Sequence, residues 1–205
     1  MRYRDYKIFR QDHDYHVYNR GVNKQDIFLD DDDRKSFIFR LRESLYPEYI
    51  NSRRKPLPSG SFSLLSYCLM PNHFHLLVAQ NLLTPVSELL RKVCTGYSKF
   101  FNKKHERVGH VFQDQYKAIR IDNDSYLTWV SAYIHQNPKI AGLVEKLEDY
   151  PWSSYVDYLG SRKGTLCTKD LVLGMFKSVE EYKKFVENSY EQIKQRKDIQ
   201  NLLLE

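Results

Sequence analysis

The sequence predicts an α+β fold, with a four-stranded antiparallel sheet, helices on one face of it, and additional C-terminal helices. Three observations carry that expectation. Period-2 alternation marks four extended segments. Apolar residues at helical spacing mark the stretches between them. The two kinds run in the order strand, helix, strand, strand, helix, strand. Two such halves describe a ferredoxin-like topology. Residues 1–145 are expected to form the unit that carries the chemistry, with 146–205 as a helical extension packed on it.

Tyr15 to Arg20 alternate and stop at Gly21, which reads as a first strand. Asp30 to Asp33 then offer carboxylates to a helix N-terminus, where the backbone dipole is positive. Phe37, Ile38, Leu41 and Leu45 follow on one helical face. Pro56, Pro58 and Gly60, with Arg53-Arg54-Lys55 before them, mark a basic loop between Pro47 and Gly60. Ser61–Leu69 and His73–Ala79 read as a hairpin around Met70-Pro71-Asn72. Thr84 is expected to cap a second helix with Pro85 at its first position. That helix buries Val86, Leu89, Leu90, Val93, Tyr97, Phe100 and Phe101. Gly109 to Ile121 is extended again, and Asp124 is expected to cap a third helix ending near Asn137-Pro138. Val179 to Leu204 reads as charged helix.

Charge and composition narrow the function. Lys and Arg number 32 against 26 Asp and Glu, a net charge of +6 that suits a polyanionic partner. Sixteen Tyr and eleven Phe supply rings for a core or for stacking on unpaired bases. Cys68, Cys94 and Cys167 are odd in number and far apart, so neither a disulfide framework nor a zinc knuckle is expected and a cytoplasmic setting is. No segment reads as a secretory leader or a membrane span. There is no G-x-x-x-x-G-K-[ST] loop for a nucleotide.

Chemistry concentrates in two places. In Pro71-Asn72-His73-Phe74-His75, alternation sends both imidazoles to one face and Phe74 to the other. Two imidazoles roughly 7 Å apart at the backbone can converge on one divalent metal. They can equally be a hydrogen-bonded pair on a sheet. In Asp124–Pro138, Leu127, Val130 and Ile134 form a core stripe, while Tyr126, Tyr133 and Asn137 lie on another side. Tyr133 and Asn137 are one turn apart, so an amide oxygen and a phenol share a helix surface. Spacing alone does not choose Tyr133 over Tyr126 or Tyr155.

Taken in order, several fragments resemble the IS200-like single-tyrosine (HUH) transposases, and among them the branch associated with repetitive extragenic palindromes (REP). They are Tyr15-His-Val-Tyr-Asn-Arg-Gly21, Tyr67-Cys-Leu-Met-Pro-Asn-His-Phe-His75, Gly109-His-Val-Phe-Gln113, Tyr133-Ile-His-Gln-Asn-Pro138, Ala141-Gly-Leu-Val144 and Tyr150-Pro-Trp-Ser-Ser-Tyr155. Phe112 stands where many relatives have Trp, and Lys139-Ile140 where they have Val-Arg. The resemblance implies a ferredoxin-like (RRM-like) palm. It implies a metal site on His73, His75 and Asn137 holding Mg2+ or Mn2+, with Tyr133 as nucleophile. It implies single-stranded or hairpin DNA as partner, cut and rejoined through a 5′-phosphotyrosine, by a monomer or a homodimer. Arg91, Lys92, Lys117, Arg120 and Lys139 are candidate phosphate contacts, which as a group predict salt-sensitive binding. Two other readings stand beside this one. A non-catalytic single-stranded nucleic-acid module on an RRM-like sheet needs aromatics where the histidines sit. A phosphodiesterase using metal-activated water leaves no covalent adduct.

Overall fold

The structure is a computed structural model that describes residues 8–47 and 56–202. The chain runs β1 (His13–Arg20), α1 (Asp31–Leu45), β2 (Phe62–Met70), β3 (His73–Gln80), α2 (Val86–Lys104), β4 (Lys117–Ile121) and α3 (Asp124–Ile140). Four helices follow: α4 (Tyr155–Tyr158), α5 (Asp170–Leu173), α6 (Val179–Asn188) and α7 (Tyr190–Leu202). The strands form one sheet in the order β2-β3-β1-β4, every neighbouring pair antiparallel. This is the expected four-stranded sheet, with β1 and β3 at its centre. The basic triplet Arg53-Arg54-Lys55 lies outside the described residues.

Alternation divides the sheet into two faces. Tyr15, Val17, Phe74, Leu76 and Val78 pack against Phe37 and Leu41 of α1 and Leu89, Val93, Tyr97 and Phe101 of α2. The other face presents Cys68, Met70, Leu77, Ala79 and Ile121 to Leu127, Val130 and Ile134 of α3, with Tyr155, Tyr158, Tyr182 and Val186 behind. Helices therefore cover both faces, not one. The second face carries too many apolar side chains to leave in water, and the stripe on α3 buries them.

The helix ends show which local signals prevail. Asp30 caps α1 by accepting from the Asp33 amide, and Asp33 returns the bond, so the acidic run is a capping box. Asp33 is fully buried and also pairs with Lys104 and His105. At α2 the cap is Pro85, not Thr84. The Val86 amide instead donates to the Gln80 side chain across the loop. At α3 the cap is Asn123, one residue before the expected Asp124, and its side chain accepts from the Tyr126 amide. That helix does not stop at Asn137 but carries Pro138 inside it and ends at Ile140. Amides of Ala141 and Leu143 return to the carbonyls of Asn137 and Pro138, and Gly142 closes the end at φ +70°. These closing bonds outweigh the bias that proline places on its predecessor. The C-terminal helical stretch is broken at Ser189 into α6 and α7, and Leu204 lies outside the described residues.

The β2–β3 turn is braced from the first strand's end. The Ile27 and Phe28 amides both donate to the Pro71 carbonyl, and the Gly21 amide donates to that of Asn72. A Cβ on Gly21 would sit 2.1 Å from the Gln25 carbonyl oxygen, so this approach admits only glycine. The turn that starts β3, and hence the position of His73, is held from both sides.

Candidate active site

β1, β3 and α3 meet in one place. On β3 the two-residue period sends His73 and His75 to the α3 face, while Phe74 points into the first core against Phe37. On β1 the same period sends His16, Tyr18 and Arg20 to that face. Register sets Tyr18 opposite His75 and Arg20 opposite His73. From above, α3 lowers Tyr133 and Asn137.

The rings form a tight group. The centroids of His73 and His75 are 5.0 Å apart with the planes nearly perpendicular. The Tyr133 ring is 5.5 Å from His75 and 5.7 Å from His16, edge-on to both. Nucleophile candidate and histidine pair therefore lie together within one chain. Tyr126 stacks on Trp129 two turns earlier, and Tyr155 is buried against His135, so neither shares this position.

Hydrogen bonds orient each candidate ligand. His73 Nδ1 lies 2.6 Å from Asn72 Oδ1, and the Asn72 amide nitrogen donates to the Lys24 carbonyl. An amide oxygen only accepts, so Nδ1 of His73 is the donor here, and in the neutral ring that leaves the lone pair on Nε2. His75 Nδ1 lies 3.0 Å from His16 Nε2. The Asn137 amide nitrogen donates to the Tyr133 carbonyl at 2.8 Å, an interaction within the turn that Pro138 interrupts.

Burial sets the protonation states. His75 is 5% exposed and Asn137 fully buried, while Tyr133 and His73 are half-buried. Burial pushes the Tyr133 phenol up to about 12, with Tyr18 adding to the rise. A hydrogen bond with the Asn137 side chain and the Arg20 guanidinium pull in the other direction. Burial lowers His16 to about 4, so that imidazole is neutral at pH 7.

The basic residues separate. Lys117 pairs in register with Tyr18 and sets its amine 5.9 Å over that ring, on the histidine face. Arg120 pairs with Tyr15 and faces the other side, held by Asp122 at 2.7 Å. Arg91 and Lys92 lie on α2, across the sheet, with Arg91 bound to Glu88. Lys139, near the end of α3, sits 4.9 Å over the Tyr190 ring. They do not form one patch. Reasoning from the sequence missed His16, Tyr18 and Arg20. Their alternation on the first strand was a signal, but only the pairing of β1 with β3 connects them to the histidines.

Comparison with known proteins gives four matches. The family described as Transposase IS200 like matches residues 11–137, from the approach to β1 through Asn137. A Haemophilus influenzae protein named as a REP-associated tyrosine transposase is 28% identical over 129 residues, covering 55% of this chain and 72% of that protein. A solved REP-associated tyrosine transposase bound to a REP hairpin shares the fold at TM-score 0.58 and 15% identity, over 75% of this chain and 83% of that one. A solved transposase from Deinococcus radiodurans R1 aligns at TM-score 0.40 and 12% identity, over 71% of this chain and 95% of that one. Among the described residues no helix is long and apolar enough to cross a membrane.

Proposed function

We propose, from the premise that this chain belongs to the IS200-like transposase family, that it cuts and rejoins single-stranded DNA through a 5′-phosphotyrosine on Tyr133. One observation carries the reading: the Tyr133 ring lies 5.5 Å from the His75 imidazole in the same chain.

Mg2+ or Mn2+ is the implied ion, and the donor set fits it. His73 and His75 would hold the ion through Nε2, and Asn137 through its amide oxygen. The opposite polar atom of each is engaged elsewhere: with Asn72, with His16 and with the Tyr133 carbonyl. Such outer bonds fix a ligand's tautomer and orientation. When bound, the ion supplies Lewis-acid polarisation of a phosphate oxygen.

His16 has a defined task here. Neutral, buried and 3.0 Å from His75 Nδ1, it would accept from Nδ1–H and so keep the lone pair of His75 on Nε2 for the ion. Tyr133 enters the reaction as a protonated phenol at neutral pH. Its oxygen bonds to phosphorus as the bond to the 3′-oxygen breaks, and the phenol proton passes to that leaving oxygen. The products are a 5′-phosphotyrosine and a free 3′-OH. Attack by a 3′-OH on the same phosphorus reverses the chemistry and joins strands, one phosphodiester replacing another without ATP. Arg20 and Lys117 bring positive charge to this face and favour a phosphate there. The open-sheet binding module is disfavoured, because α3 covers the face on which bases would stack.

The test is a denaturing gel of the protein incubated with Mn2+ and labelled hairpin DNA bearing single-stranded flanks. Wild type should run as a covalent adduct, and Tyr133→Phe should lose it by at least ~10³-fold while still binding the hairpin. Cleavage with no adduct would hand the chemistry to water. An adduct that survives Tyr133→Phe would move the nucleophile elsewhere.

A further inference from the structure

We propose that His135 is a positioning residue through which the C-terminal helices set the approach of Tyr133 to the histidine pair. The inference rests on the function proposed above for Tyr133. His135 lies two residues after Tyr133 on α3 and so points to a different side of the helix, into the second core. It is fully buried, and each ring nitrogen has a partner from beyond the span that matches the transposase family. Nε2 lies 2.8 Å from Ser154 Oγ, at the start of α4. Nδ1 lies 2.7 Å from the Tyr182 hydroxyl on α6. That hydroxyl lies 2.7 Å from Ser131 Oγ, back on α3. Ser154 Oγ in turn accepts from the Tyr67 amide and donates to the Tyr67 carbonyl on β2.

One assignment of protons satisfies the whole chain. Ser131 donates to Tyr182, Tyr182 to His135 Nδ1, His135 Nε2–H to Ser154, and Ser154 to the Tyr67 carbonyl. A second tie lies beside it, where the Gln136 amide donates to the Val186 carbonyl at 2.7 Å. Buried polar chains with every member satisfied specify one arrangement of the elements they join, because any slip strands a donor or acceptor in low dielectric. Here the elements joined are β2, which neighbours the histidine strand, the nucleophile's helix, and α6. Apolar packing alone would let α3 shift along or around its axis with small loss. The hydrogen-bonded chain removes that freedom, and a shift of about 1 Å at a reacting atom is enough to cost on the order of a hundredfold in rate.

The experiment compares two buried phenols. Tyr182→Phe removes only the hydroxyl that reaches His135. Tyr150→Phe removes a hydroxyl in the same core that binds the Leu69 carbonyl and the Arg34 side chain instead of α3. Both are expected to lower thermal stability by similar amounts. Adduct formation is followed with a labelled pool of hairpin oligonucleotides carrying randomised single-stranded flanks, in Mn2+. The rate should fall about tenfold for Tyr182→Phe and less than twofold for Tyr150→Phe, with hairpin affinity unchanged in both. In parallel, 3-fluorotyrosine at position 133 should show a displaced or broadened 19F resonance in the Tyr182→Phe background only. Equal rates for the two variants, or an unmoved resonance in Tyr182→Phe, would overturn the proposal. If wild type forms no adduct, the function assigned to Tyr133 fails, and the 19F comparison still decides the positioning. Ser131→Ala, a milder cut in the same chain, is read in the same way should Tyr182→Phe not fold.

Discussion

The two faces of this sheet come from the same strands by the same alternation, and they have been put to different uses. Toward α1 and α2, Tyr15, Val17, Phe74, Leu76 and Val78 build a dry core in which the Phe37 ring lies 4.9 Å from that of Phe74. Toward α3, the intervening residues are His16, Tyr18, His73 and His75, and the ring that meets them is Tyr133. Neighbouring residues share a backbone, so packing on one face fixes the imidazoles on the other. The apolar core thereby removes freedom from the strand that carries the candidate ligands. Farther along the second face the pattern becomes apolar again, with Leu77, Ala79 and Ile121 sealed under α3. The proposed reactive group thus occupies one end of an otherwise covered surface.

The sharpest way to break this comparison is to truncate adjacent residues of β3. Phe74→Ala should cost about 3–5 kcal/mol of stability in urea titrations, the toll of a large cavity in the first core. His75→Ala should cost clearly less stability yet lower Mn2+ affinity and adduct yield by at least ~100-fold. Similar stability losses from both would mean that the two faces are not divided as described. A smaller effect is expected one strand away. His16→Ala should weaken Mn2+ binding by roughly 10–100-fold in calorimetry, with His16→Gln recovering part of it, because only the orientation of His75 is lost. Unchanged affinity would detach β1 from the metal site. The smallest effect separates the two sides of the edge strand β4. Lys117→Ala should weaken hairpin binding and reduce the slope of log affinity against log salt by about 1, and Arg120→Ala should leave both unchanged. The reverse order would put the DNA on the α1/α2 face.

Much of the candidate site's geometry could be read before any coordinates, and the reasons lie in particular residues. His73 and His75 share a face because strand geometry repeats every two residues. Tyr133 and Asn137 are neighbours because helices repeat near every four. The family fragments then distinguished Tyr133 from Tyr126 and Tyr155. His16 escaped notice for the converse reason. Its partner is 59 residues away, and a hydrogen bond across that separation exists only once β1 lies beside β3. The end of α3 was misread because Asn137-Pro138 signals a stop locally, while the bonds that carry the helix on to Ile140 come from residues 141–143.

Local periodicity therefore determined which side chains travel together on each element: the histidine pair, the phenol with its amide, and the apolar stripes opposite them. Only the tertiary structure decided which pairs meet. It brought Tyr133 over His75 within a single chain, recruited His16, moved Arg120 to the far face and tied α3 to the C-terminal helices through His135. Periodicity acts over a few residues and is written in the chain. Strand pairing, helix docking and buried hydrogen-bond chains join segments far apart in sequence, and their energy comes from desolvation and packing that exist only when all the parts are in place.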